Sequence, residues 1–226
     1  TTWYGEMHKK KSLFVTFEGI EGSGKSYQSH QLFKNLKRNN ISAVLTREPG
    51  GTIGAERIRK VILEDYFHPN SQNQFDKYTD TLLYLAARNE HVKSKIAPAI
   101  SKNKIVLCDR FIDSTLAYQV YGKGVNKNLV DSVHKYILGS IKPDLTFILK
   151  VNISKALQRL KKRKKKNRYD KFSKHFYKKV QNAFIKIAKT DKKRYIILET
   201  SKDTKDTEKI IFSKFTKILH DENKKN

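Results

Sequence analysis

The chain has 226 residues, 48 Lys+Arg against 22 Asp+Glu, and a formal charge of +26. Hydrophobic residues make up 38%, enough for a core beneath a heavily charged surface. The single cysteine excludes a disulfide framework within the chain and suits a reducing compartment, and no apolar run approaches the ~20 residues of a membrane-spanning helix. The basic start leads into too short an apolar run for a signal peptide. A charge of +26 points to a polyanion as ligand. It is unevenly spread: residues 150–195 hold 19 basic and 2 acidic side chains, whereas residues 1–149 hold 22 and 14. The excess therefore marks one segment rather than the whole surface.

Met7 is the only methionine. Residues 1–11 are expected to be an N-terminal extension, with residues 1–6 foreign to the natural chain, and 12–226 a single domain. Residues 13–17 form a β-branched and aromatic run predicted to be a buried strand. A helix is predicted over 25–39, with Leu32, Phe33 and Leu36 on one face, followed by a strand over 41–45. Helices are predicted over 55–63 and 76–101, the second kinked near Pro98. A third strand covers 105–108. A helix over 129–138 ends at Gly139 as C-cap, and a fourth strand covers 145–151. Ser154 is the expected cap of a helix running into the basic segment. A helix over 171–188, a strand over 195–198 and a helix over 207–219 complete the chain. Strands alternating with helices imply an α/β domain with a mostly parallel sheet covered on both faces.

Gly19-Ile20-Glu21-Gly22-Ser23-Gly24-Lys25-Ser26 fits G-x-x-x-x-G-K-[ST] at every fixed position. It lies between a predicted strand and a predicted helix, the context that the motif needs. Its glycines let backbone N–H groups turn toward phosphate oxygens at a helix N-terminus. Lys25 can neutralise β- and γ-phosphates, and Ser26 can ligand Mg²⁺. The loop implies a nucleoside triphosphate without naming the reaction. Glu21 is unusual there, because a carboxylate repels phosphate. It makes sense facing a hydroxyl or a second ligand, which favours a two-substrate enzyme.

Thr46-Arg47-Glu48-Pro49-Gly50-Gly51-Thr52 follows the second strand and puts Arg47 at its carboxyl end, where open α/β sheets bind ligands. Arg47 can hold an anion with a bidentate fork. Asp109-Arg110-Phe111 follows the third strand at the same edge. Asp109 can reach Mg²⁺ through water or act on the acceptor, and Arg110 can bridge two phosphates. Such converging cations suit phosphoryl transfer. Tyr84 and Arg88 share a helix face at i and i+4, where a ring and a guanidinium can stack on and hydrogen-bond to a base. Gln119, beside Tyr118, can read a base edge.

Taken together, FEGIEGSGKS (17–26), TREPGGT (46–52), LLYLAAR (82–88), LCDRFIDSTLAYQ (107–119) and KPDLTFIL (142–149) resemble the thymidylate kinase family in order and spacing, from about residue 13 to 219. The resemblance implies a P-loop nucleoside monophosphate kinase-like fold with a five-stranded sheet. It also implies Mg²⁺-dependent transfer of a phosphoryl group from ATP to dTMP for dTTP synthesis, in a cytoplasmic homodimer. By motif position, Gly19 to Tyr27 would bind ATP, with Lys25 and Ser26 on its phosphates and Mg²⁺. Glu21 would meet the sugar 3′-hydroxyl of dTMP. Arg47 and Arg110 would hold the dTMP phosphate, with Asp109 nearby. Tyr84 stands where the family stacks a phenylalanine on the base. Arg88, Thr115 and Gln119 would contact thymine, and Tyr118 the sugar. Some members carry a catalytic arginine in the phosphate loop. This chain has Gly22 there, so a lid segment at about 159–172 would supply it, with Arg163 and Arg168 as candidates. The lid reads Asn167-Arg168-Tyr169-Asp170 where the family has Asp-Arg-x-Glu, and Phe172 where a glutamate is common. Two rival readings stay open: another nucleotide kinase on the same fold, and a nucleic-acid-binding protein using the basic segment. The scarcity of aromatics between Lys161 and Arg168 weighs against the second.

Overall fold

The computed structural model describes residues 12–63, 75–162, 168–200 and 204–223. The expected extension, residues 1–11, lies outside them, as does Arg163. Five strands pair in parallel in the order β2-β3-β1-β4-β5. They are β1 (Phe14–Glu18), β2 (Ala43–Arg47), β3 (Ile105–Asp109), β4 (Leu145–Lys150) and β5 (Tyr195–Glu199). The helices are α1 (Lys25–Arg38), α2 (Ile53–Leu63), α3 (Lys77–His91), α4 (Ala97–Ser101), α5 (Ile112–Thr115), α6 (Lys127–Leu138), α7 (Ile153–Lys161), α8 (Lys174–Ala188) and α9 (Thr204–Asn223).

Period-2 alternation divides the sheet between two cores. Val15, Phe17, Leu107, Phe147 and Leu149 face Leu32 and Leu36 of α1 and Ile211, Phe215 and Leu219 of α9. On the opposite face, Phe14, Val106 and Cys108 pack with Val92, Ile96, Ala99 and Phe111. Ile148 packs there with Ala156 and Leu160 of α7 and with Tyr177, Val180 and Phe184 of α8. Each fully buried Leu or Phe contributes about 1.5–3 kcal/mol. Thr16 and Thr146 interrupt the apolar pattern, but their hydroxyls bond each other at 2.7 Å, so no polar group is stranded.

β1 lies at the centre, with β3 on one side and β4 on the other. The chain reverses its strand order there, which opens a crevice at the carboxyl ends of β1 and β3. The phosphate loop leaves β1 and Asp109-Arg110 leaves β3, so both motifs meet at that crevice.

Several local expectations shift. β2 begins at Ala43 rather than 41, because Ala43 is in register with Ile105, and the strand then carries Arg47 as its last residue. The bend expected at Pro98 is absorbed by a π-helical turn, Val92–Ile96, directly before α4. Widening the helix there accommodates the ring and the missing N–H. A second π-helical segment, Leu116–Gly122, continues α5; residues 112–122 are thus helical, a stretch that carries no expected helix. Asn152, not Ser154, caps α7: its side chain accepts the Lys155 N–H at 3.2 Å, because the helix already begins at Ile153. α8 starts at Lys174 behind the cap Ser173, after a 3₁₀ turn over Arg168–Lys171. Gly139 ends α6 as expected, with φ +57°.

Candidate active site

A cleft of about 330 Å³ opens at this crevice. Its wall joins the phosphate loop to the predicted acceptor residues: Glu21, Lys25, Ser26, Arg47, Tyr84, Arg88, Asp109, Arg110, Thr115, Tyr118 and Gln119 all line it. Residues up to 98 apart in the sequence are brought together because they leave neighbouring strands or the helices packed beside them.

The loop's own geometry comes from its glycines. Gly22 has φ +74°, and a Cβ added there would sit 2.7 Å from the Ala156 carbonyl oxygen. α7 therefore packs against the loop at Gly22, and a side chain there would push the helix away. Gly24 precedes α1 with φ +96°, a conformation costly for other residues. Lys25 is only 6% exposed and donates to the Ile20 carbonyl at 2.8 Å. Burial, then the Arg110 charge, lowers its pKa to about 8, against the pull of Asp109 and Glu21.

Ser26 Oγ donates to Asp109 Oδ2. Asp109 Oδ1 is buried with no hydrogen-bond partner among the described residues. A hydroxyl and a carboxylate with a spare oxygen form the hard donor set that suits Mg²⁺. Among the described residues no group of three or more His, Cys, Asp or Glu is placed to hold a metal. A divalent ion here would take its other ligands from phosphate oxygens and water.

Arg110 crosses the cleft floor. Its Nη1 donates to Gly19 O and to Ser114 Oγ, both at 3.0 Å, and its Nη2 to Glu21 Oε1 at 2.5 Å. The guanidinium also lies 5.2 Å over the Tyr118 ring. Burial opposes its charge, but Glu21, Tyr118, Asp109 and Glu18 together raise its pKa above the ordinary arginine value. Its backbone sits at φ +71°, which costs a non-glycine residue about 1–2 kcal/mol. The Tyr118 hydroxyl donates to the other oxygen of Glu21. Glu21 is thus held away from the phosphate loop's N–H groups by an arginine and a phenol.

Arg88 is almost fully buried. It meets Glu48 Oε2 at 2.7 Å, Thr115 Oγ1 at 2.7 Å, His134 Nε2 at 2.8 Å and the Phe111 carbonyl at 2.9 Å. His91 links Glu48 Oε1 (3.0 Å) to Thr46 Oγ1 (2.7 Å). Burial opposes the Glu48 charge, but Arg88 and His91 hold its pKa below the usual carboxylate range. Burial and Arg88 lower His134 to about 3, so it meets Arg88 as a neutral acceptor. This network ties Arg88 to the strand end that carries Arg47. Tyr84 is 7% exposed, and its hydroxyl has no hydrogen-bond partner among the described residues. Burial raises its pKa.

Not every candidate points into the cleft. Arg47 lines it, yet its side chain is half exposed and bonds Glu56 at 3.2 Å. Arg168 turns away from the phosphate loop. It pairs with Asp80 at 2.6 Å and donates to the Ile62 carbonyl at 3.1 Å. Lys123 meets the other Asp80 oxygen at 2.7 Å. Tyr169 lies edge-on to Tyr118 with ring centroids 5.7 Å apart, so the 3₁₀ turn Arg168–Lys171 is folded onto the wall that carries Tyr118. Sequence reasoning missed three residues. Arg159 donates to the Gly22 carbonyl at 2.8 Å and also borders an open groove with Gly24, Tyr27, Thr204 and Lys205. Arg59 lines the cleft and donates to the Pro49 carbonyl at 2.6 Å. Ser114 holds Arg110. The signal for Arg159 was its place at the start of the predicted lid; Arg59 had none beyond the Glu56–Arg59 spacing on α2.

Comparison with known proteins identifies the family of the chain. A family model described as thymidylate kinase matches residues 17–211. A thymidylate kinase of Wolbachia pipientis wMel is 46% identical over 179 residues, covering 78% of this chain and 85% of that protein. One of Halothermothrix orenii is 37% identical over 207 residues, covering 90% and 96%. The crystal structure of thymidylate kinase from Ehrlichia chaffeensis superposes with a TM-score of 0.70 at 35% identity, covering 92% of this chain and 98% of that one. With a nucleotide loop and an acceptor wall sharing one cleft, the chain belongs to the thymidylate kinase family, enzymes that phosphorylate dTMP with ATP.

Proposed function

We propose the following division of labour for the transfer of a phosphoryl group from ATP to dTMP. The loop Gly19 to Tyr27 wraps the ATP phosphates with its N–H groups, and Lys25, charged at neutral pH, offsets negative charge on the β- and γ-phosphates. The open groove beside Arg159 and Tyr27 takes the nucleoside end of ATP. Ser26 and Asp109 would hold Mg²⁺, which when bound neutralises and aligns phosphate oxygens. Arg110 and Arg47 hold the dTMP phosphate in line with the γ-phosphate, Arg47 exchanging Glu56 for substrate. Glu21 and Tyr118 receive the sugar 3′-hydroxyl, and Tyr118 crowds the 2′ position. Tyr84 stacks on thymine, which Arg88, Thr115 and Gln119 contact by its edges.

Residues 12–226 act as one kinase domain whose lid covers about 159–172. Arg163, within the basic segment of that lid, supplies the lid charge on the transferred phosphoryl group. Arg168 fastens the lid to Asp80, and Arg159 attends the loop itself. The exposed hydrophobic side chains Ile53 and Val61 on α2 and Tyr78 and Leu82 on α3, two helices in contact, support a homodimer. No helix among the described residues is long and apolar enough to cross a membrane, and a cytoplasmic site of action follows from the substrates.

The observation that carries this assignment is the convergence of Lys25, Asp109, Arg110 and Glu21 on one cleft. The test is a coupled ATP/dTMP assay on wild type and Lys25→Ala. The variant should lose on the order of 10²–10⁴ in turnover; unchanged turnover refutes the Lys25 assignment.

A further inference from the structure

One buried acid has no part in the scheme above. Glu18, the last residue of β1, is fully buried beside the cleft floor. Its Oε1 accepts the backbone N–H of Phe111 at 2.7 Å and of Ser114 at 3.2 Å. Its Oε2 accepts the Ser114 hydroxyl at 2.5 Å. Ser114 Oγ in turn accepts from Arg110 Nη1. Burial and then the nearby Asp113 carboxylate raise the Glu18 pKa to about 8, against the lowering by the Ser114 and Phe111 bonds; in its ionised form Glu18 accepts from both backbone N–H groups and from the Ser114 hydroxyl.

The arrangement divides the Arg110 guanidinium. Nη1 is committed to the wall, through Gly19 O and Ser114 Oγ, while Nη2 faces Glu21 and the cleft. The φ of +71° at Arg110 shows that its own backbone preference does not hold it there. The turn is held instead by the Phe111 and Ser114 N–H bonds to Glu18. A hydroxyl has one proton. Because the Ser114 proton goes to Glu18, the oxygen facing Arg110 is an acceptor. A proton donor at Glu18 Oε2 would occupy a lone pair of the Ser114 oxygen and leave the serine proton without its acceptor, so Ser114 would lose the bond that orients it toward Arg110.

We propose that Glu18 is a positioning residue for the phosphoryl transfer: through Ser114 it fixes Nη1 of Arg110 on the wall and leaves Nη2 for the acceptor phosphate. Because this role presupposes that Arg110 meets that phosphate, its test includes Arg110 itself.

Glu18→Gln keeps an oxygen for the two N–H bonds and replaces the acceptor at Oε2 by a donor. Ser114→Ala removes the link. Steady-state kcat and KM for both substrates are measured for the two variants, for the double variant and for Arg110→Ala. Each single variant should lower kcat about tenfold to a hundredfold, the cost of misplacing a reacting-group contact, with KM for ATP changed less than about twofold. The double variant should match Ser114→Ala alone, because Glu18 acts through Ser114. Wild-type kcat in either single variant, or effects that multiply in the double variant, overturns the proposal. Should Glu18→Gln fail to fold, Ser114→Ala decides by the same kcat criterion. Full activity in Arg110→Ala would instead remove the assignment of Arg110. A crippled Arg110→Ala beside an unaffected Ser114→Ala removes only the role of Glu18.

Discussion

Lys25 should take up a proton when ATP binds. In the free protein its ammonium is buried beside Arg110, and its pKa falls from 10.5 to about 8. Phosphate oxygens beside it restore the preference for the charged form. At pH 8 about half of the sites begin without that proton, so binding should take up about half a proton per site, falling toward zero at pH 6 and rising toward one by pH 9. The terminal phosphate of ATP is already ionised over the upper part of this range. Titration calorimetry in buffers of different ionisation enthalpy measures the uptake directly. Lys25→Met, which keeps the length of the side chain but not its charge, should abolish it. The same shift acts on folding. A lysine whose folded pKa lies below its unfolded value destabilises the fold at every pH below 8, and the cost is relieved between pH 8 and 10.5. Its size is roughly 3 kcal/mol, so Lys25→Met should melt higher than wild type at pH 7 while losing turnover. No proton uptake at pH 8, or equal uptake by Lys25→Met, refutes the reasoning.

Tyr84→Phe removes a buried hydroxyl with no partner among the described residues and should stabilise the protein by about 1–3 kcal/mol, seen as about 2–4 °C in Tm per kcal/mol for a chain of this length. The ring remains, so kcat/KM for dTMP should not fall; a lower Tm would show that the hydroxyl has a partner. Ser26→Ala should raise the Mg²⁺ concentration needed for half-maximal rate by about tenfold or more, and an unchanged Mg²⁺ profile removes Ser26 from the ion's ligands. Asp80→Asn leaves Arg168 and Lys123 facing each other without their shared carboxylate. Trypsin should then cut after Arg168 several-fold faster in the nucleotide-free enzyme, whereas identical cleavage rates would contradict the Asp80 fastening.

The parts legible in the sequence were those written locally. The glycine spacing of 19–26 and the short apolar runs of 13–17, 105–108 and 145–151 need no tertiary information, and they located the crevice. The residues after β1, β2 and β3 could be placed at one sheet edge because parallel strands share their carboxyl ends. The π-helical segments could not be seen, because an i→i+5 turn leaves no hydrophobic period of its own. Asn152 was missed as a cap because the helix starts at Ile153, one residue before the expected cap Ser154. Glu18 read as one more residue of a buried strand, and Ser114 as part of a motif whose neighbours drew attention; their joint hold on Arg110 exists only once β1 lies beside β3. Arg168 looked like a phosphate ligand from its motif, and only the packing of the lid against α3 shows its pairing with Asp80. The +26 charge changes meaning in the same way: a segment that looks like a nucleic-acid surface is, in the scheme proposed above, a nucleotide lid.

The central claim is that one cleft joins a nucleoside triphosphate to dTMP. The most direct measurement is phosphoryl transfer from ATP-Mg²⁺ to a panel of dTMP, UMP, dCMP and thymidine by the wild-type protein. The account predicts that dTMP is converted to dTDP with the highest kcat/KM and that thymidine is not phosphorylated. Absence of turnover with every nucleoside monophosphate, or a preference for thymidine or UMP over dTMP, would contradict it.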